Sequence, residues 1–226
     1  MSKAGGILNR MLFKFADPNQ VDTIQRDYVR FFSEAGARHV LDIGSGRGIF
    51  LELLRTAGIK ASGLDSDAAT VAKCHEKGLT DVEVGDALEL LEKKIASKSK
   101  YDGVFCSHII EHLPGNKATR LIEASAELLA PRGRLVLVTP NVANLQVWTN
   151  VFWLDPTHQR PYPRLLLEAL MKEAGLKIVA SFDDQKTRYH YRRTPSDFRR
   201  FVSNFLRFGS GVLDGMDSVV VGERPV

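Results

Sequence analysis

The order of apolar and polar residues along the chain predicts short strands that alternate with helices. Short apolar runs have the length of buried strands, and the segments between them place apolar residues at helical spacing. Alternation at this rhythm is typical of βαβ units, whose right-handed crossovers build a parallel sheet with helices on its faces. The predicted strands cover residues 39–43, 60–65, 82–84, 101–107, 134–138, 177–182 and 217–222, and the predicted helices cover 49–57, 67–77, 88–95, 117–129 and 164–174.

Two further amphipathic segments precede the first strand. Apolar residues at helical spacing run from 7 to 15 and again from 21 to 32, and Asp17-Pro18 between them suits a helix cap followed by a first-turn proline. We expect residues 1–34 to form a helical lid over a ligand cleft or, alternatively, only to cover an edge of the sheet. Residues 35–226 are predicted to form one domain.

The turn after the first strand carries the most informative chemistry. Gly44, Gly46 and Gly48 allow positive φ and leave no Cβ, so a ligand can lie against the backbone. Asp65 ends the next strand, where a carboxylate can accept both hydroxyls of a ribose. The third glycine comes one residue too early for the dinucleotide fingerprint, and Asp42 would repel a pyrophosphate but suits a cationic ligand.

The pattern Asp-x-Gly-x-Gly-x-Gly that begins at Asp42 resembles the first motif of the class I methyltransferases that depend on S-adenosylmethionine (SAM). The resemblance implies an α/β, Rossmann-like sheet of seven strands, mostly parallel, with helices on both faces and the last strand antiparallel beside the fifth. It also implies that Asp86 reaches the exocyclic amine of adenine, although an acid there can equally cap the next helix. The predicted cofactor-binding residues are Asp42, Gly44, Ser45, Gly46, Gly48, Asp65, Ser66, Asp86, Ala87, Ser107 and Tyr28.

Several polar or glycine residues directly follow predicted strands. In open α/β sheets, ligands bind beyond the carboxyl ends of the strands. The site is therefore predicted at the edge that carries Gly44, Asp65, Asp86, Ser107 and Asn141.

Two later stretches narrow the resemblance. Residues 108–114, together with 139–141 and 153–161, resemble the bacterial methyltransferases that cap or decorate O-polysaccharides, and the similarity covers about residues 20–182. It implies methyl transfer to a saccharide hydroxyl or a glycan phosphate, in polysaccharide or cell-surface glycan biosynthesis. The acceptor partner is accordingly predicted to be a saccharide or phosphosaccharide.

A sugar hydroxyl must lose its proton, and histidine is the natural general base near neutral pH. His158 is the candidate base or acceptor-orienting group, with Asp155 as its electrostatic partner and Arg160 for the substrate. A phosphate needs no base but only a cationic cradle, such as Arg160 with protonated His158. The alternative is that 155–163 is merely a rigid turn, and Arg47 in the glycine turn is a second candidate for binding an anion.

A group of histidines and one acid raises the question of a metal. Patterns with Glu in place of His108 bind a divalent metal in small-RNA methyltransferases and in ubiquinone-pathway O-methyltransferases. His108, Glu111 and His112, with His158, could hold a transition metal better than magnesium. We predict no metal, because such a Glu-His pair more often caps a helix and lines the acceptor pocket; a divalent metal is left open.

The net charge of +4 is local. The segment from Asp183 to Phe208 carries seven Lys/Arg and three Asp, so the rest of the chain is neutral. Within the basic insertion, 183–210, residues 195–208 form a predicted amphipathic helix with phenylalanines on one face and arginines on the other. This helix would pack on the sheet or on a partner subunit, or bind an anionic membrane surface or a phosphorylated substrate.

Composition places the chain in a reducing compartment. Cys74 and Cys106 offer no disulfide framework, and no apolar run has the roughly 20 residues of a membrane span. We expect a cytoplasmic protein, with a peripheral position at the inner membrane face left open. The rival functions are an RNA methyltransferase, a non-catalytic subunit that binds SAM or a partner protein and, remotely, a nicotinamide-dependent oxidoreductase. Nucleic acid is the less favoured partner because no RNA-binding module is recognisable.

Overall fold

The computed structural model describes residues 18–187 and 215–226, and within them the chain forms one seven-stranded sheet in the order β3-β2-β1-β4-β5-β7-β6. Strands β1 to β5 are parallel to one another, and β7 lies antiparallel between β5 and β6. The predicted fold class, including the antiparallel last strand beside the fifth, is confirmed. The strands are β1 (His39–Ile43), β2 (Lys60–Asp65), β3 (Val82–Val84), β4 (Tyr101–Ser107), β5 (Leu129–Pro140), β6 (Lys177–Asp184) and β7 (Asp217–Glu223).

The helices follow the predicted positions to within three residues at each end. They are α1 (Pro18–Ser33), α2 (Ile49–Thr56), α3 (Ala68–Glu76), α4 (Ala87–Ala96), α5 (Gly115–Leu128) and α6 (Arg164–Glu173). Short helical turns cover Ile110–His112, Val147–Val151, Phe152–Leu154 and Gln185–Thr187. Among the described residues, no helix combines the length and apolar character needed to cross a bilayer.

The fifth strand is longer than predicted. The sequence indicates a turn at 131–133, but the chain passes directly from α5 into β5, where Leu129 already pairs with Tyr101. The register then shifts, and Arg132 takes a φ of 65°. The predicted turn is therefore an irregularity inside one long strand, where β5 advances five residues while β4 advances two.

Alternate residues of the strands face two hydrophobic layers. In β5, Leu135 and Leu137 pack with α4, α5 and α6, whereas Val136 and Val138 pack with α1 and α2 on the other face. This period of two is the geometry of a strand buried on both sides. The helices on both faces thus hold the loops at the carboxyl edge in place.

Helix α1 covers one face of the sheet. Phe32 packs edge-on against Phe50 and Phe105, and it lies directly over Gly103, where a Cβ would come within 2.3 Å of the ring. The role of residues 1–34 as a lid stays a prediction. The predicted helices at 7–15 and 195–208 lie outside the described residues.

Candidate active site

The turn after β1 adopts the backbone that its glycines predict. Gly44, Gly46 and Gly48 have φ of 74°, 52° and 77°, values that residues with a Cβ rarely adopt. The amides of Gly44 and Ser45 both donate to the carbonyl oxygen of Leu64, at 2.8 and 3.0 Å. The turn is thereby fastened to the end of β2.

Space as well as φ requires glycine in this turn. A Cβ on Gly44 would lie 2.3 Å from Cδ1 of Ile109, and one on Gly48 would lie 2.5 Å from Cδ1 of Leu79 and 3.1 Å from Sγ of Cys74. Ile109 comes from the loop after β4, so the two loops are in contact. Sequence reasoning missed Ile109, whose signal is only a bulky apolar residue directly after a strand end.

Asp65 is held by the main chain. Its Oδ2 accepts the amide of Gly46 and its Oδ1 accepts the amide of Asp67, both at 2.9 Å. Each carboxylate oxygen has a second acceptor position. The residue can therefore accept ribose hydroxyls without giving up either backbone bond.

Two buried residues beside the turn, Asp42 and Ser45, favour a positive ligand. Asp42 is 3% exposed, and burial, followed by the charge of Asp65, raises the pKa of Asp42 to about 8. The buried hydroxyl of Ser45 has no hydrogen-bond partner among the described residues. Buried polar groups normally have partners, so both residues fit a ligand that supplies a cation and a polar atom. The ammonium and sulfonium of SAM meet this requirement.

Asp86 caps α4, as the alternative interpretation predicted. Its Oδ1 accepts the amides of Leu88 and Glu89, at 2.9 and 3.2 Å. The adenine contact stays a prediction. Val84, which pairs with Asp65 across the sheet and is 49% exposed, adds an apolar surface beside Asp86 that sequence reasoning missed.

Of the remaining predicted cofactor residues, one lies on α1 and three lie at the carboxyl edge of the sheet. Tyr28 is buried, packs against Phe105, and donates its hydroxyl to Oδ2 of Asp184 at 2.6 Å. Its hydroxyl is thus engaged within the protein, and its cofactor role stays a prediction. Ser66, Ala87 and Ser107 lie at the carboxyl edge, after β2, at the start of α4 and at the end of β4.

Glu111 is the centre of the second half of the site. It is fully buried, with Oε1 3.2 Å from Nδ1 of His108 and Oε2 accepting the hydroxyl of Thr139 at 3.1 Å. Its backbone carbonyl accepts the amide of Gln159 at 2.9 Å. Glu111 therefore joins the loop after β4 to β5 and to the loop before α6.

His108 lies between two carboxylates. It has a φ of 55°, and its Nε2 is 3.6 Å from Oδ1 of Asp217 at the start of β7. Burial alone would lower the pKa of His108, but Asp217 and Glu111 outweigh it and hold that pKa well above its ordinary value. Burial likewise opposes ionisation of Glu111, yet His108 lowers the pKa of this carboxyl.

Two neighbouring imidazoles, those of His112 and His158, each bond a fixed group through Nδ1. Nδ1 of His158 donates to the carbonyl oxygen of Phe152 at 2.6 Å, which leaves Nε2 with a lone pair. The hydroxyl of Thr157 donates to Asp155, so it accepts from Nδ1 of His112 at 2.8 Å. The two rings are 4.7 Å apart. Neighbouring groups therefore set the tautomer of both histidines.

The carboxylate of Asp155 bonds Thr157 rather than the ring of His158, and its role as electrostatic partner of His158 stays a prediction. Asp155 accepts both the amide and the hydroxyl of Thr157, and the group that orients His158 is the carbonyl of Phe152. Asp155 thus acts on His112 through Thr157. An Asp followed two residues later by a Thr is a turn signal that could have predicted this bond.

Arg160 has partners of its own. Its guanidinium lies 5.1 Å from the ring centre of Tyr162 and over Gly115, where a Cβ would be 2.8 Å from Nη1. Its exposed position leaves a substrate role as a prediction. Arg47, the second anion-binding candidate, is exposed in the glycine turn.

The fold and this edge define a class of protein. A seven-stranded sheet of this order, with a glycine turn after β1 and an acid at the end of β2, is the framework of a SAM-dependent methyltransferase. The chain belongs to the methyltransferase-domain family, whose model matches residues 8–181. The predicted enzyme class and cofactor are confirmed.

Relatives and solved structures agree with this assignment. The chain is 27% identical over 196 residues to a ubiquinone biosynthesis O-methyltransferase of Hydrogenovibrio crunogenus, covering 80% of each chain. It is 32% identical over 126 residues to one of Xylella fastidiosa strain M23, but it spans only about half that protein's length (49%). A SAM-dependent methyltransferase structure from Archaeoglobus fulgidus matches with a TM-score of 0.76 at 26% identity, covering 95% of this chain and 99% of that one. These relatives do not show the predicted closeness to O-polysaccharide methyltransferases.

Proposed function

We propose that this protein is an O-methyltransferase that methylates a saccharide hydroxyl in the biosynthesis of a polysaccharide or cell-surface glycan. The observation that carries the proposal is the fixed tautomer of His158. With Nδ1 bonded to the carbonyl of Phe152 at 2.6 Å, the lone pair on Nε2 is available to take the proton of an acceptor hydroxyl.

The protein's work in this reaction is positioning and deprotonation. When bound, SAM supplies an electrophilic methyl group on a sulfur that leaves as a neutral thioether. Asp65 and the glycine turn orient the nucleoside, and His158 accepts the hydroxyl proton as the acceptor oxygen bonds to the methyl carbon. Such alignment accounts for much of the rate in displacement reactions, and a positioned base adds about 10²–10⁴-fold.

The charges of the site favour a hydroxyl over a glycan phosphate. The two carboxylates of Glu111 and Asp217 outnumber the one imidazole between them, His108, so this part of the acceptor half is net negative and would repel a phosphate. The guanidinium of Arg160, predicted to hold a phosphate, is stacked on Tyr162. A neutral acceptor is not repelled by the carboxylates and does not need the guanidinium of Arg160.

A phenolic hydroxyl is the second candidate acceptor. It is favoured by the Hydrogenovibrio relative, named as a ubiquinone biosynthesis O-methyltransferase, which aligns over four fifths of both chains. The same nitrogen of His158 would serve as base, because a phenol also loses a proton on methylation.

The same side chains also fit a divalent cation. One ligand atom each from Glu111, His112 and His158 lies within 4.8 Å of the others. Both histidines donate Nδ1–H to a fixed acceptor, the arrangement that usually accompanies metal ligation through Nε2. Two imidazoles and one carboxylate suit a transition metal, which would polarise an acceptor oxygen as a Lewis acid.

The test is transfer of tritiated methyl from SAM to four acceptor groups: saccharides, catechols, glycan phosphates and RNA. The proposal expects label in saccharides with the wild-type protein and loss of that label in His158→Ala. Label in catechols or RNA alone would replace the saccharide proposal, and tight SAM binding without transfer to any acceptor would favour a non-catalytic subunit. Metal analysis of protein loaded with Zn²⁺ or Mn²⁺, together with activity after chelation, separates two mechanisms. Activity that survives chelation supports His158 as general base, and activity that needs the metal supports the Lewis acid.

A further inference from the structure

An apolar surface lies exposed after β5. Trp148, Trp153 and Leu154 are 38%, 54% and 50% exposed, and we call these three residues the tryptophan surface. The two indole rings meet edge to face, with centres 5.4 Å apart at 65°. Exposure of such large side chains costs hydrophobic free energy, so a patch of this kind commonly marks a binding site.

The tryptophan surface adjoins the candidate base. Buried Phe152 has its ring centre 5.1 Å from Trp153, 6.3 Å from Trp148 and 4.5 Å from His158. The carbonyl of the same Phe152 orients His158. One residue therefore supports both the indole rings and the imidazole, so a ligand on the surface is next to the acceptor half of the site.

The chemistry of the surface suits a neutral ring that carries hydroxyls. Within the described residues, neither indole N–H has a hydrogen-bond acceptor, so each offers a ring face and a free donor. A ligand with an apolar face and polar edges would use both features.

Charge argues against an anionic membrane as the occupant. Residues 141–159 contain no lysine or arginine and one acid, Asp155, so nothing in this segment would attract acidic lipid headgroups. The exposed polar side chains of the segment, Thr149, Thr157 and Gln159, are neutral.

We propose that the tryptophan surface is an acceptor subsite, on which a neutral sugar ring stacks next to the sugar unit whose hydroxyl meets His158. This inference rests on the proposed saccharide function and adds its specificity: the enzyme distinguishes an oligosaccharide from a single sugar. Trp148 and Trp153 supply the stacking faces, and Leu154 extends the apolar contact.

Fluorescence tests this directly because Trp148 and Trp153 are the chain's two tryptophans. Full-length protein saturated with S-adenosylhomocysteine is titrated with maltohexaose, a rhamnose oligosaccharide and a mannose oligosaccharide. The expected result is a saturable change in indole emission with at least one of them. Vesicles of phosphatidylglycerol and phosphatidylethanolamine test the membrane alternative. An emission change with vesicles but with no oligosaccharide overturns the proposal, and so does the absence of an emission change with every probe.

Kinetics give the second measurement. Trp153→Ala should raise the KM for an oligosaccharide acceptor at least tenfold, while kcat and the Kd for SAM change less than threefold. Leu165→Ala is the matched control, since Leu165 on α6 is 73% exposed and lies outside the surface, and its KM should equal that of wild type.

The two failures are distinguishable. Wild-type protein that methylates no saccharide removes the proposed function. Wild-type protein that methylates saccharides, with an unchanged KM in Trp153→Ala and in Trp148→Ala, removes only the subsite.

Discussion

The carboxyl edge of the sheet has two halves that are built differently. In the cofactor half, after β1 to β3, an acid bonds backbone amides close in the chain, as where Asp65 accepts from Gly46, 19 residues away. In the acceptor half, side chains meet across larger separations, as where Thr157 bonds His112, 45 residues away. The first half depends on backbone geometry and the second on how distant loops pack.

This difference separates two kinds of mutational effect. The backbone amides and glycines of the cofactor half suit one constant ligand. The side chains of the acceptor half lie on loops, which can vary with the acceptor while the scaffold stays the same. Substitutions in the cofactor half should therefore alter SAM affinity, and substitutions in the acceptor half should alter turnover. A substitution that changed SAM affinity and turnover equally would contradict this division into two halves.

The largest effect is expected at His158. His158→Ala removes the proposed base, so kcat should fall about 100- to 10,000-fold, the usual contribution of general base catalysis. The Kd for SAM, measured by calorimetry, should stay within threefold of wild type. Leu165→Ala serves as the control, and normal turnover in His158→Ala would contradict the assignment.

Asp65→Ala comes next and acts on the other half. Loss of two hydrogen bonds to a charged group, each about 1.5 kcal/mol, corresponds to about 100-fold weaker SAM binding. At saturating SAM, kcat should change little. Asp81→Ala removes an acid at the opposite edge, where it accepts from Ser62, and should leave the Kd for SAM unchanged.

Asp42 predicts a pH dependence of cofactor binding. Its pKa of about 8 leaves the carboxyl largely protonated at pH 7, and a cationic ligand favours its ionised form. SAM binding should therefore release a proton and tighten as pH rises from 6 to 8, by at most about tenfold per unit. Calorimetry in buffers of different ionisation enthalpy measures this release, which Asp42→Asn should abolish.

The same group affects the stability of the ligand-free protein. Because the folded pKa of Asp42 lies above its unfolded value, its contribution is fully present below about pH 4 and is lost as pH rises toward 8. The melting temperature of wild type should accordingly fall more than that of Asp42→Asn between pH 6 and 8.5. Equal slopes for the two proteins would show that Asp42 is ionised before SAM binds.

The smallest effect is expected at Thr157. Thr157→Val removes the bond that sets the tautomer of His112. In the metal version of the site His112 is a ligand, and loss of a group that orients a metal-binding histidine costs about tenfold or more. We expect kcat to fall about tenfold with unchanged SAM affinity, and Thr157→Ser, which keeps the hydroxyl, to restore it. If both variants behaved alike, the hydroxyl would have no part in turnover.

The contrast also explains what could be predicted from the sequence. The three positive-φ glycines, Asp65 and the strand ends follow from patterns within about 25 residues, so they were accessible to reasoning about one sequence. The partner of Tyr28 was not. Tyr28 bonds Asp184, 156 residues away, and no spacing rule relates the two positions.

The placement of β7 has a consequence for synthesis of the chain. Within the described residues β6 pairs only with β7, which follows it after more than thirty residues and inserts between β6 and β5. Until β7 has been synthesised, β6 therefore has an open edge, and β5 has no neighbour on its outer side. Completion of the sheet must wait until β7 leaves the exit tunnel, which makes this interval the point at which chaperones or aggregation would compete with folding.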